Sequence, residues 1–590
     1  MALDQLTEMI QRCQVIPEDG FKVEDYEIFQ KAGKNCLEEM KTAEILDIIK
    51  EEKNKVIIKC MGWNLLGPLI KIVLKKDKTS LQHCLSMLTH ILEVCSPKEV
   101  LLGLLEQIED ADMDKIAETI VLLLQPLQTV LLKLGKKKPP SVGMSLSTIL
   151  NQISQLPVPY TQEQEEDDAH GLCQCCVALL TFTKPFVEEV QQSYTNKMVG
   201  DMEELRNELL KFCIKCLSNP LLHAQLEKVP DVADEMPMRR FATEIVEILC
   251  CTGESLPALI FHRLLSKKEE PGFLEEDAKY SKDSLACLSY LIFVQHLGMD
   301  KFPLVFSPEF ILHCNMLHIE TLMKRKEESV LSKALDLFEK TLLRTNQNSV
   351  TVQFLEITCF LSVPQALVQI MTLCPIQHLR TKGLQIFQLY IDIFDVEGKY
   401  KLFRCLLEVS HHAGVEGYII QNIKKQIDLA LKPGNGNLWF SGAALLPLLR
   451  LVLFLPQGPE TDLLQNLDRI MESLNLLRYL LIRDKEYDNQ TGIWTELYKI
   501  EDNFLKPLHT GLNMSKAHYE AELKNTKENK KHKESKEENP LCTLSVAGEK
   551  LPNMTTEMQL QVLQSAMFTF DLIESVLARI EEIIEVKAKK

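Results

Sequence analysis

Apolar residues recur at steps of three and four along almost the whole chain. Between Asp112 and Gly135 they fall at Ile116, Ile120, Leu123, Leu124, Leu127, Leu131 and Leu134. In a helix of 3.6 residues per turn such steps keep one face apolar, so this segment predicts an amphipathic helix. Pro126 should kink it, because proline has no amide hydrogen for the helical ladder. Ser307-Pro308-Glu309 reads as an N-cap, a first-turn proline and a first-turn acid. Ser96-Pro97-Lys98-Glu99 opens another helix, and Val363-Pro364 and Cys374-Pro375 punctuate two more. Strand-like alternation is confined to LCTLSVAGEKL at 541–551, around a glycine-containing turn, and predicts a small hairpin.

Two stretches, LACLSYLIFVQHL at 285–297 and ALLPLLRLVLFLP at 443–455, are apolar on more than one side. Such helices must be covered from several directions, as the inner helices of a repeat stack are. The helices pair at intervals of roughly 35–50 residues, within the range of helical repeats, and no repeat consensus is legible. The expected fold is all-α, a HEAT/armadillo-like helical-repeat solenoid with degenerate repeats. Polar breaks at 156–168, 230–237 and 267–277 help divide it. The expected regions are an N-terminal helical-repeat region at 1–265 and a C-terminal HEAT-like, partner-binding region at 279–523. A disordered polar linker at 524–540 follows, because KNTKENKKHKESKEEN has no apolar residue to bury. The last region, 541–590, combines the hairpin with a capping helix whose stripe is Leu563, Met567, Phe570, Ile573, Leu577, Ile580 and Ile584.

Composition narrows the functional classes. The 590 residues include only 23 glycines and 25 prolines, below the usual ~7% and ~5%. That argues against a β-sandwich, a barrel or a glycine-dependent nucleotide fold. A net charge of −17 opposes a general grip on nucleic acid. Lys136, Lys137 and Lys138, and Lys324, Arg325 and Lys326, are short basic runs that read as solvated surface. The N-terminus MALDQLTEMIQRCQ is an amphipathic helix with acids, not a secretory signal. The strongest apolar stretch is taken as 443–455, short of the ~20 residues a bilayer needs, so no membrane insertion is expected. Eighteen cysteines then imply reduced thiols and a cytoplasmic location.

No P-loop, nucleophile elbow, zincin or dinucleotide motif is present, and neither enzymatic activity nor a cofactor is expected. Cys173, Cys176, Cys213 and Cys216 form a C-x-x-C…C-x-x-C pattern with His223 beyond it. The pairs lie farther apart than the usual ~15–20 residues and sit inside apolar helical patterns, so core packing is preferred to metal. Cys314 with His318 reads as an interior pair. His411 and His412 near Cys405 and Glu416 lack the partners of a triad. The run Glu165, Glu166, Asp167 and Asp168 reads as a solvated loop.

The region 491–523 carries two apolar stripes. Ile493, Leu497, Ile500, Phe504 and Leu508 should face the core, while Trp494, Tyr498, Leu505 and Leu512 form a second line. Aromatic residues and arginine are enriched at interface hot spots. The candidate partner-binding residues are therefore Trp494, Tyr498, Leu505, His509 and Lys516, with Lys425 and Arg469 on neighbouring helices.

Long runs across essentially the whole chain resemble the glomulin family. They include NKVIIKCMGWNLLGP at 54–68, GLCQCC at 171–176, FTKPFVEEV at 182–190, GKYKLFRCLLEVSHHAGVE at 398–416, FLPQGPETDLLQNLDRIMESLNLLRYL at 454–480 and FTFDLIESVLAR at 568–579. The resemblance implies a non-catalytic HEAT-like protein. Its C-terminal repeats would bind the RING domain of the RING-box subunit of cullin-RING ubiquitin ligases and cover the docking surface of the ubiquitin-conjugating enzyme. It also implies association with FK506-binding immunophilins and with the cytoplasmic tail of the hepatocyte growth factor receptor.

Overall fold

The capping chemistry read from the chain forms helices where it should. In the computed structural model Ser307 accepts a hydrogen bond from the Phe310 amide at 3.2 Å and starts a helix at Pro308. The structure describes residues 2–75, 80–195, 203–227, 236–265, 280–302, 305–434, 437–533, 545–546, 549–550 and 555–588.

Two compact units divide the chain, Met1–Thr341 and Leu342–Lys590. In the first, the helices that carry the architecture are α1 (Pro97–Glu109), α2 (Ile116–Lys133), α3 (Pro139–Ile153), α4 (Leu172–Thr195), α5 (Glu203–Ser218), α6 (Pro237–Cys251), α7 (Lys282–Phe293) and α8 (Pro308–Met323). Each packs on its next or next-but-one neighbour: α1 on α2 and α3, α2 on α4, α3 on α5, α4 on α6, α5 on α7 and α7 on α8. In the second unit they are α9 (Cys359–Leu373), α10 (Gln377–Ile393), α11 (Val396–Val409), α12 (Ala413–Ala430), α13 (Gly442–Val452), α14 (Leu467–Arg483), α15 (Ile493–Ile500), α16 (Lys506–Lys533) and α17 (Thr556–Ala588). Here α11, α13 and α15 follow one another in one row, and α12, α14 and α17 in another. Nearest-neighbour packing of this kind defines a helical-repeat stack. The fold is all-α, of the HEAT/armadillo-like type. The described residues add one two-residue antiparallel pair, β1 (Ser545–Val546) with β2 (Glu549–Lys550).

Several expectations are corrected. The boundary does not fall between 265 and 279: α7 packs on α5, and the Ser284 hydroxyl donates to the Ile214 carbonyl at 2.6 Å. A polar stretch of sequence does not stop the helices on either side of it from packing together. The linker expected at 524–540 is helical up to Lys533. Once α16 is nucleated by its buried first half, extending it through lysine and glutamate costs little; residues 534–540 lie outside the described residues. Pro364 lies inside α9 rather than ending it. Finally, 443–455 is not the most membrane-like stretch. Glu52–Leu74 and Ile116–Lys133 are long and apolar enough to cross a bilayer by length and composition, with 61% and 50% of their windows buried in the fold. In α2 the apolar stripe is spent inside: Ile120, Leu123, Leu127 and Leu131 are fully buried.

The acidic run at 165–168 is also not wholly solvated. Glu165 is buried and accepts from the Met238 amide at 2.6 Å, and burial raises its pKa. Asp168 accepts from the amides of Cys173 and Gln174 at the start of α4. Lys138 is likewise buried, paired with Glu189 at 2.8 Å.

Candidate functional site

The helix expected over 491–523 is interrupted. α15 ends at Ile500, and Glu501–Leu505 makes a π turn before α16 begins. A π turn places one extra residue in the ladder and rotates everything beyond it by ~100°. Tyr498 and Leu505, seven residues apart, would share a face in an unbroken helix. Across the π turn they do not: Tyr498 is 60% exposed and Leu505 is 4% exposed. Leu505 joins Phe504, Leu508 and Leu512 in the core, so it is removed from the contact surface.

Trp494 is half-buried and anchored. The chain between α14 and α15 is stapled by Asp484, whose carboxylate accepts from the amides of Gln490 and Thr491 at 3.0 and 2.8 Å and from the Thr491 hydroxyl at 2.5 Å. The Asp484 carbonyl accepts from the Trp494 indole at 3.1 Å. Asn489 adopts a left-handed φ of 43° and caps the Trp494 amide at 3.2 Å. The Lys587 ammonium, near the end of α17, lies 4.3 Å from the Trp494 ring centre. Trp494 thus ties α14, α15 and α17 together.

Two candidate cations have partners within the chain. Arg469 is paired with the buried Glu416 at 2.9 Å. Burial raises the Glu416 pKa, and Arg469 opposes that rise. Lys516 bridges Asp571 and Glu574 of α17, each at 2.6 Å. Both cations therefore work as struts between helices. His509 and Lys425 are exposed, with His509 hydrogen-bonded to Asn513 at 3.1 Å.

The open chemistry gathers around Tyr498. Arg450 of α13 meets Glu496 of α15 through two bonds of 2.8 and 3.1 Å, and Lys499 meets the same carboxylate at 3.1 Å. These partners hold the Glu496 pKa below its ordinary value, the Arg450 hydrogen bond first. The Lys499 ammonium lies 5.4 Å from the Tyr498 ring centre. The result is an exposed phenol flanked by two cations that a buried carboxylate fixes in place. Sequence reasoning missed Arg450 and Lys499. The available signal was Arg450 itself, the lone charge in an apolar helix, which needs a carboxylate on a neighbour. Separately, a cleft of 430 Å³ opens between α16 and α17, lined by Glu501, Lys506, His509, Glu581, Ile584 and Glu585, with Leu505 at its base.

The other sequence candidates resolve as packing. Cys173, Cys176, Cys213 and Cys216 are all buried within helices, and burial pushes every one of these thiols upward. Among the described residues no three His, Cys, Asp or Glu side chains are grouped to hold a metal ion. His318 pairs through Nε2 with the Ile260 carbonyl at 3.0 Å. His412 caps α12, its Nδ1 accepting from the Val415 amide at 3.4 Å.

Comparison with known proteins adds a lineage. A family described as an uncharacterised protein family, YAP/Alf4/glomulin, matches residues 1–566. Glomulin of Homo sapiens is 55% identical over 593 residues, covering 100% of this chain and 98% of that protein. Glomulin of Mus musculus is 53% identical over the same span. Among solved structures, a circular tandem repeat protein aligns over 87% of this chain and 98% of its own at 13% identity, with a TM-score of 0.17.

Proposed function

This chain belongs to the YAP/Alf4/glomulin family, and on that footing we infer that it is a non-catalytic regulator of cullin-RING ubiquitin ligases. Its C-terminal repeats bind the RING domain of the RING-box subunit and occupy the surface on which the ubiquitin-conjugating enzyme docks. The observation that carries this reading is the Tyr498 patch with Arg450 and Lys499, presented on stacked helices. A tyrosine anchor ringed by cations is the composition of an interface hot spot. Cations at the rim steer acidic partners more than they add affinity. Masking a docking face requires only about 800 Å² per partner, which one end of a repeat stack can supply. A reducing, cytoplasmic setting without membrane insertion fits the free thiols of every described cysteine.

The test is ubiquitin-chain formation by a neddylated cullin complex with added protein. Chain formation should fall as the protein exceeds the ligase, and Tyr498→Ala should weaken the inhibition with the melting temperature unchanged. Unaltered chain formation at a large excess of wild-type protein would overturn the reading.

A further inference from the structure

In the second unit α12 and α14 pack side by side and run parallel. The Gln421 amide donates to the Glu472 carboxylate at 2.9 Å, and two turns further on the Tyr479 hydroxyl donates to Asp428 at 2.6 Å. With the helices held in this register, their outward faces carry one pattern. Lys425, Leu429 and Lys432 follow at steps of four and three along α12 and just past its end. Arg478 and Ile482 repeat the step of four on α14, displaced by two residues or ~3 Å. Leu429 is 41% exposed and Ile482 is 60% exposed. Together they form an apolar rung across the two helices, with Lys425 and Arg478 on one side of it and Lys432 and Arg483 on the other.

Charge on this face runs against the rest of the chain. Segments 421–432 and 472–483 hold five cations and two carboxylates, in a protein of net charge −17. Both carboxylates are engaged. Gln421 holds Glu472, while the Tyr479 hydrogen bond first, and then Lys432 and Arg483, keep the Asp428 pKa below its ordinary value. The Lys424 ammonium lies 5.2 Å from the Tyr479 ring centre. Helix C-terminal carbonyls draw cations to the last turn, which accounts for Lys432 and Arg483. That pull does not reach Lys425 and Arg478, which lie more than a turn back, are exposed and have no ion-pair partner among the described residues.

The spacing of the rung selects the shape of an occupant. Packed helices lie ~8–10 Å apart, and residues i and i+7 of a helix share a face ~10.5 Å apart. In a strand, same-face side chains repeat every ~7 Å, which does not match the rung. A helix laid across α12 and α14 sets one apolar side chain on Leu429 and the next on Ile482. Acids on both flanks of its apolar stripe then meet the two cation pairs, each about one turn from the rung, or ~5 Å.

We propose that this face is a docking site for an acidic amphipathic helix of a partner protein, with apolar residues at i and i+7 and carboxylates on both flanks. Leu429 and Ile482 supply the apolar contact, and the four cations select the acidic flanks and speed the encounter. The face belongs to the row of α12, α14 and α17, whereas Tyr498 belongs to the row of α11, α13 and α15. It is therefore a second surface beside the one proposed for the RING domain.

The experiment titrates the full chain into a fluorescent peptide about 18 residues long, enough to form helix, and reads anisotropy. The peptide is built of alanine and glutamate with leucines at i and i+7. A second peptide has the same composition with its leucines moved off one face. The first should bind saturably, at least ~10-fold more tightly than the second, and more weakly as salt is raised. Ile482→Asp, and Lys425→Glu combined with Arg478→Glu, should each weaken binding at least ~10-fold with the melting temperature unchanged. Tyr498→Ala should bind the peptide as wild type does, which separates this face from the RING reading. No saturable binding, equal binding of the two peptides, or an unaltered affinity in the double variant would overturn the proposal. So would tighter binding of phosphatidylserine vesicles or duplex RNA that the double variant abolishes, because the face would then read charge without the apolar rung.

Discussion

Lys587, in the last turn of the last helix, holds its ammonium 4.3 Å from the ring centre of Trp494 and donates to the carbonyl of Leu481 at the end of α14. The contact joins residues almost a hundred positions apart. It converts an aromatic side chain that reads as an anchor for a partner into a joint within the chain.

That joint separates two tyrosine- and tryptophan-based roles experimentally. Trp494→Ala should lower stability by about 2 kcal/mol or more, as loss of a packed aromatic does. Lys587→Ala should cost about 1 kcal/mol, the scale of a cation–π contact. Tyr498→Ala should change stability by less than about 0.5 kcal/mol, as exposed positions usually do. Thermal melting of the three variants checks the order.

Removing the extra residue of the π turn should be more damaging than truncating any one side chain it positions. Deletion of the exposed Asn503 forces α16 back into phase with α15 and turns it by ~100°. Leu505, Leu508 and Leu512 would leave the core together, whereas Leu505→Ala alone should cost about 2–5 kcal/mol. Denaturant unfolding should show the deletion to be the less stable of the two.

Lys333 in the first unit should make stability depend on pH in the alkaline range. It is buried, it donates to the Ala224 carbonyl, and burial pushes its pKa from the ordinary 10.5 down to about 8. Between pH 8 and 10.5 the unfolded chain holds this proton and the folded chain does not, so this contribution makes stability rise with pH through that window. Below pH 8 both states are protonated and the full penalty for the buried charge remains. Lys333→Met should therefore improve relative to wild type by about 3 kcal/mol on going from pH 10.5 to pH 7. Chemical denaturation at the two pH values measures the difference.

The cysteines should divide by burial. Among the described cysteines, in the native protein at pH 7.5 a thiol reagent should reach only the half-buried Cys60, Cys250, Cys251, Cys374 and Cys405. Cys176 and Cys216, buried and shifted upward by desolvation, should react only after unfolding. Mass spectrometry of labelled peptides distinguishes the two groups, and native labelling of Cys216 would contradict the packing.

What the chain determined by itself was local. Helix periodicity, the Ser307 cap and the apolar stripe of α17 depend on neighbours within one or two turns, and there the pattern of residues settles the outcome. The buried stripe of α17 includes Leu563, Phe570, Ile573, Leu577 and Ile580 as the spacing required. The contact surface was different, because it depends on phase and on distant partners. One π turn of five residues moved Leu505 inside while leaving Tyr498 outside. Partners supplied by other helices turned Arg469 and Lys516 into struts, and Glu496 fixed Arg450 beside Tyr498. A helical stripe states how much apolar surface must be covered. Only the tertiary structure decides which neighbour covers it, because every helix in a repeat stack offers a similar apolar face and the choice among them rests on register, charge pairing and packing across the whole unit.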